Sequence, residues 1–254
     1  MIFKSLKAKE LKELRKRMSP RIYDISYLSL RPLKDFLSDF CKQYLSNQHD
    51  LLILDIGCGI KPYMEMFDEY YNKYFGLDLF LTSQADLLAK SEMLPIKENS
   101  IDVVLCTQVL EHTQDFAKAT EEIHRVLNKN GVAVITLPFV WPLHGIPYDY
   151  WRFSKYAIKK MFKGKFKEVI IKESNGYMVS IISLLLELTN VLSENRKLFS
   201  IILSPFYVIF NLLGLFTEKI FNNPRFWKIF SFDFKNPLQT YRLFPLNYFV
   251  VVKK

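Results

Sequence analysis

Cysteine is scarce in this chain: three residues in 254, at Cys41, Cys58 and Cys106, too widely spaced for a disulfide framework or a thiolate metal pattern. Two of them fall in apparent core strands, and the set fits a reducing compartment. The N-terminus lacks a continuous apolar stretch, alternating charge with short apolar steps, so no signal peptide is expected there. No GxGxxG fingerprint occurs, which leaves no pyrophosphate cradle for a dinucleotide. No N/DPPY-type amine motif and no accessory nucleic-acid module is found, so no nucleic-acid partner is expected.

What is present is apolar and basic. Half of the residues are hydrophobic, with 22 Phe and 14 Tyr, which excludes disorder over most of the length. The formal charge is +9, and residues 4–17 hold seven Lys and Arg against two Glu. These basic residues accompany apolar runs instead of forming compact clusters, a pattern that favours a membrane surface over nucleic acid. A cytoplasmic location follows, peripheral on the cytoplasmic membrane face if that surface is used.

Periodicity divides the chain into an N-terminal helical part (1–50), a core (51–176), an inserted hydrophobic helical cap (177–245) and a final core strand (246–254). Phe3, Leu6, Leu11, Leu14 and Met18 share one helical stripe, and a second helix is predicted from about Leu33 to Leu45, begun by Pro32. Apolar strands are predicted at 51–57, 73–79, 84–88, 101–106, 131–138, 166–172 and 246–253, with helices at 115–128 and 154–163 between them. Fully apolar strands alternating with helices predict an α/β fold, a mostly parallel sheet covered on both faces. The cap contains two apolar runs, 177–192 and 198–217, the second uncharged and interrupted by Pro205. Three readings stay open for it: a cap dipping into a membrane, a protein-facing cap or dimer surface, and a hairpin through lipid.

LDIGCGIKPY, residues 54–63, ends the first strand on an acid followed by two glycines. Gly57 and Gly59 allow a sharp turn with room for a ligand against the backbone. Asp78, at the end of the second strand, can accept both hydroxyls of a ribose; its bland alternative is a turn cap. Pro62 and Tyr63 stand where a third glycine would help a dinucleotide, so a cofactor with a ribose and no phosphate suits the turn better.

LDIGCG, GLD at 76–78, SEMLPIKENSIDVVLC, VLEH at 109–112 and EEIHRVLNKNGVAVITLPF resemble, in that order, the class I S-adenosylmethionine-dependent methyltransferases of the type 11 group. The resemblance covers about 51–139 and extends more weakly to 172 and the last strand. It implies a Rossmann-like sheet of seven strands with an antiparallel last strand, and S-adenosyl-L-methionine as cofactor. It also implies that Asp55, Gly57 and Gly59 surround the methionine portion, Asp78 the ribose, Met93 and Leu94 the adenine, and Thr107 to Val109 the methionine side. Lys90 departs from the pattern, standing where relatives often carry an acid toward the adenine amine; Asp86 is the nearest substitute.

Methyl transfer from a sulfonium needs alignment and, for a hydroxyl acceptor, proton removal; neither a covalent nucleophile nor a metal is required. The catalytic candidates are His112, in VLEH, and His144 and Asp149, in PFVWPLHGIPYDYWRFS at 138–154. Trp141, Tyr148, Trp151 and Arg152 of that stretch are the candidates for substrate binding, with an Asp149–Arg152 ion pair and aromatic packing as the structural alternative. The stretch resembles methyltransferases encoded with surface-polysaccharide genes, which points to polysaccharide biosynthesis and a small-molecule, glycan or lipid-linked acceptor. Membrane contact through 1–18 and 177–217 is expected, and a homodimer is left open. Two other functions stay in view: a non-catalytic scaffold on a cofactor fold, and a nucleic-acid or protein methyltransferase.

Overall fold

The computed structural model describes residues 6–82, 84–193, 202–223, 225–226 and 241–254. Phe3 of the first stripe, residues 198–201 of the second apolar run with 194–197 before it, and the 227–240 part of the cap lie outside the described residues. Its centre is a seven-stranded sheet in the order β3-β2-β1-β4-β5-β7-β6. The strands are β1 (Leu51–Ile56), β2 (Tyr71–Asp78), β3 (Leu87–Leu88), β4 (Ile101–Thr107), β5 (Leu127–Pro138), β6 (Glu168–Glu173) and β7 (Asn247–Lys253). All neighbours pair in parallel except β7, which runs antiparallel to both β5 and β6.

The alternation of side chains divides the sheet's two faces between two cores. On one face Leu54, Ile56, Val104, Cys106, Ala133, Ile135 and Val250 pack against Ala119, Ile123 and Val126 of α3 (Phe116–Val126) and against Ile158 and Phe162 of α4 (Lys155–Phe162). Each of these helices starts on a side-chain cap, Asp115 accepting from the Lys118 amide and Ser154 from that of Ala157. On the other face Ile53, Val103, Leu105, Val134 and Val251 meet Leu33, Phe36, Leu37 and Phe40 of α2 (Tyr27–Phe40). Because the inner residues of both faces are apolar, Asp55 and Thr136 apart, the strands read as nearly unbroken hydrophobic runs.

Two prolines act differently from expectation. The second helix begins at Tyr27, so Pro32 lies inside it and forgoes one backbone hydrogen bond. Burial of Tyr27 and Leu28 against the cap outweighs that loss, since both sit in a cluster with Val179, Ile182, Leu186 and Tyr207. Pro205 does not interrupt the later run; it occupies the first turn of α6 (Ser204–Phe221), where its missing donor costs nothing.

The expected membrane contact is corrected by the same packing. Among the described residues no helix is long and apolar enough to cross a membrane. α5 (Tyr177–Ser193) and α6 turn Val179, Ile182, Leu186 and Tyr207 onto Tyr27 and Leu28. Asn211, fully buried, donates from its amide to the carbonyls of Ile22 and Asp24 at 2.7 and 3.0 Å. The first helix, α1 (Ala8–Met18), is amphipathic with its basic residues gathered in the last turn, where they complement the helix dipole. Membrane contact through 1–18 and 177–217 is therefore withdrawn.

Candidate functional site

The strand order reverses between β1 and β4, and the loops leaving their carboxyl ends diverge there, the place where open α/β sheets bind ligands. A cavity of about 540 Å³ opens at that point. The ends of β1 and β2 line it with Gly57 and Asp78, the segment before Leu94 with Ala89–Glu92, and the loops after β4 and β5 with Gln108, His112, Tyr148 and Tyr150.

The glycine turn is held by β2. The amides of Gly57 and Cys58 both donate to the Leu77 carbonyl, at 2.7 and 3.1 Å, and the Gly59 amide donates to Asp78 Oδ2 at 2.9 Å. Asp78 Oδ1 accepts from the Phe80 amide at 3.1 Å. Asp78 thus caps the turn, as its bland alternative has it, and also lines the cavity. Gly57 and Gly59 adopt φ of +66° and +51°, a backbone region that penalises any β-carbon. Asp55 lies behind the turn, 2% exposed, accepting from the Tyr74 hydroxyl at 2.8 Å, and is not a cavity wall. Burial pushes its pKa up to about 7.

The adenine side differs from expectation. Met93 is 71% exposed and Leu94 is buried in the core with its amide donating to Glu122, so neither lines the cavity. Lys90, Ser91 and Glu92 line it instead, one turn of chain earlier. Asp86 does not take the place of the missing acid: its carboxylate accepts from Lys61 Nζ and from the Gly76 amide, at 2.5 and 2.7 Å, below the sheet end. Lys61, 7% exposed, went unnoticed in the sequence because a lysine after a turn ordinarily reads as surface. Glu92 Oε2, accepting from the Ser91 hydroxyl at 3.1 Å, is the cavity's carboxylate on this side. Thr107 ends β4 just short of the cavity, which Gln108 and Val109 line.

The loops after β4 and β5 are clipped together. The amides of Tyr150 and Trp151 donate to the Glu111 carbonyl at 2.9 and 3.2 Å, and the Trp151 indole donates to the Thr113 carbonyl at 2.8 Å. His112 Nδ1 lies 2.9 Å from the Tyr148 carbonyl, which can only accept, so Nδ1 carries a proton and donates it there, leaving Nε2 outside that bond. His144 Nδ1 faces the Pro142 carbonyl at 3.2 Å, Asp149 Oδ2 at 3.3 Å and Arg152 Nη2 at 3.4 Å, and its Nε2 is turned toward Glu111 Oε1 at 3.9 Å. The two imidazoles meet edge to face with centroids 4.8 Å apart. Burial lowers the pKa of His144.

Asp149 and Arg152 form the ion pair, bidentate at 2.6 and 2.7 Å, and Arg152 also donates to the carbonyls of Trp141 and Pro142. The guanidinium holds the Asp149 carboxyl down to about 2, so this acid buckles the loop and is no proton acceptor at neutral pH. Trp141 and Trp151 face away from the cavity; Trp151 packs edge to face on Phe116. Of the aromatic candidates Tyr148 lines the cavity, joined by Tyr150. Between the two histidines lies Glu111, 0% exposed, with no hydrogen-bond partner for either carboxylate oxygen. Burial raises its pKa to about 8.

Comparison with known proteins agrees with this geometry. Residues 54–135 match the Methyltransf_11 methyltransferase domain. An uncharacterised protein of Methanocaldococcus jannaschii is 28% identical over 51% of this chain and 61% of its own length. A methyltransferase structure from Archaeoglobus fulgidus superposes with a TM-score of 0.50 at 14% identity, covering 96% of this chain and 99% of that one. The [4+2]-cyclase SpnF superposes at 0.54 with 14% identity, covering 89% and 82%. The fold is that of the class I S-adenosylmethionine-dependent methyltransferases. Within that fold, the part of the chain that resembles the Methyltransf_11 domain is residues 54–135, and the chain as a whole is similar to such proteins. It spans 61% and 50% of the lengths of the two Methanocaldococcus relatives. Neither the family match nor these structures ties it to surface polysaccharide, and the assignment to polysaccharide biosynthesis is withdrawn.

Proposed function

We propose that the chain transfers a methyl group from S-adenosylmethionine to a small-molecule acceptor whose attacking heteroatom carries a proton. The observation that carries this reading is one cavity lined both by a ribose-type acceptor, Asp78, and by an imidazole, His112. Its volume of about 540 Å³ is in the range of small-molecule sites.

The residues fit the cofactor. Asp78 retains lone pairs for a vicinal diol beyond the two amides it caps, and Glu92 offers an acceptor to an exocyclic amine. Ile56, Leu77, Ala89 and Val109 supply apolar wall. Bound there, S-adenosylmethionine supplies an electrophilic methyl on a positively charged sulfur, so the acceptor's lone pair forms the new bond as carbon–sulfur breaks. The chain's own tasks are alignment and disposal of the acceptor's proton. Tyr148 and Tyr150 border the acceptor end, and His112 Nε2 receives the proton, its tautomer set by the Tyr148 carbonyl. SpnF, named a cyclase, shares the fold, so the assignment of chemistry rests on these side chains.

Calorimetric titration with S-adenosylmethionine tests the reading, wild type beside Asp78→Ala. Binding by the wild type that weakens at least tenfold in the variant supports it. A folded wild type that takes up no cofactor would refute it and favour a scaffold role.

A further inference from the structure

We propose that Glu111, His112 and His144 form a binding site for one first-row divalent transition-metal ion at the acceptor end of the cavity. One ligand atom from each residue can be chosen so that all three lie within 4.8 Å of one another. Glu111 Oε1 stands 4.0 Å from His112 Nε2 and 3.9 Å from His144 Nε2. Metal bonds of about 2.0–2.2 Å bring neighbouring ligand atoms to roughly 3–3.5 Å, so the carboxylate–imidazole pairs close by about half an ångström and the imidazole pair, within 4.8 Å, by more, through side-chain rotation.

Three independent features point to a cation. Both imidazoles are already oriented as ligands are: Nδ1 of each is turned to a carbonyl or carboxylate, which aims the Nε2 lone pair at the carboxylate. Glu111 is fully buried with both oxygens unpartnered, a costly state for a carboxylate that lacks a cation. Arg152 hydrogen-bonds Asp149 twice and makes no hydrogen bond to Glu111, acting on that carboxyl only as a charge at a distance, so the two oxygens still lack a direct cationic partner. Two imidazoles and one carboxylate form a donor set that suits zinc or iron(II) while leaving coordination positions open. His112 and Gly145 line the cavity, so the set is reachable from it.

Binding itself is independent of the methyl-transfer reading; only its consequence rests on that reading. An ion on these residues would lower the pKa of a hydroxyl oriented against it, so the acceptor's proton would pass to solvent instead of to His112.

The test is titration of the full chain, stripped with a chelator, with cobalt(II) chloride, followed by visible absorption and competed with zinc(II). One ion per chain with ligand-field bands is expected, weakened more than tenfold by Glu111→Gln and by His144→Ala, and unchanged by His49→Ala or His124→Ala. No bands at millimolar cobalt, or equal binding in all four variants, would overturn the proposal. If the site variants fail to fold, manganese(II) added to wild type labelled at its four histidines decides it. Selective broadening of two imidazole signals supports the site, and broadening of all or none overturns it. Cofactor calorimetry on the same preparation separates the two ideas. Cofactor without metal defeats this proposal alone, and metal without cofactor defeats only methyl transfer.

Discussion

Replacing Gly57 by alanine should cost much more than the same change at Gly59, although both glycines have positive φ, +66° and +51°. The left-handed backbone costs an alanine about 1–2 kcal/mol, offset by roughly 0.4–1 kcal/mol from the stiffer unfolded chain. At Gly59 nothing lies within 4 Å of an added β-carbon, so the net loss there is about 1 kcal/mol or less. At Gly57 the new carbon would stand 2.4 Å from Val109 Cγ2 and 3.2 Å from Cγ1. A β-branched side chain has little freedom to rotate away, so overpacking adds about 1–3 kcal/mol. The expected total of roughly 2–4 kcal/mol is compatible with a folded domain of ordinary stability. Urea unfolding of the two variants with unchanged slope measures the difference. A double-mutant cycle with Val109→Ala should then recover a coupling of about 1–3 kcal/mol. Equal midpoints for Gly57→Ala and Gly59→Ala would refute the steric argument and leave only the backbone term.

Asp55, raised to about 7 by burial, makes stability depend on pH. The native state holds its proton between about pH 4 and 7 where the unfolded chain has lost it, so stability falls as pH rises through that window, by up to ~1.4 kcal/mol per pH unit. Asp55→Asn should flatten that slope in urea midpoints taken from pH 4 to 8; an unchanged slope would assign it elsewhere. Arg152→Ala strands the Asp149 carboxylate and frees the loop after β5, which should lower stability by about 1–3 kcal/mol and open 139–153 to limited proteolysis. Asn211→Ala removes two hydrogen bonds that tie α6 to the segment before α2, with a similar loss of about 1–3 kcal/mol. Hydrogen exchange should then rise first at residues 20–26; protection unchanged there would refute the tie.

The sheet was legible because its strands are buried on both faces, so each appears as an apolar run with a turn signal at its end. β3 has only two residues, and it too was placed, because QADLL stands where the strand pairing with β2 must fall. The cap was less legible. Periodicity shows which residues of 177–193 and 204–221 are apolar, and says nothing of what covers them. Val179, Ile182 and Leu186 are covered by Tyr27 and Leu28 from the far end of the chain, and a membrane would have satisfied the same pattern. Burial against protein is settled by contacts between distant segments, which local composition does not encode.

The site divides along the same line. Asp78, Gly57 and His112 could be named as cavity candidates because Gly57 follows β1, Asp78 ends β2 and His112 lies in the short turn after β4, where position along the chain fixes position in space. Met93 and Leu94 were misplaced because they belong to a connection without regular structure, in which a shift of two residues exchanges cavity wall for core. Glu111 was passed over for a different reason. Next to a histidine in VLEH it reads as a surface acid, and its burial arises only when the loop after β5 closes over it, through the Tyr150 and Trp151 amides on its carbonyl. That closure also brings His144 to within 3.9 Å of the carboxylate, and fixes both imidazoles by carbonyls that carry no side-chain signal. The arrangement of Glu111, His112 and His144 therefore belongs to neither loop alone. A change in the loop after β5 that loosens the clip should alter His112 as surely as a change at His112 itself.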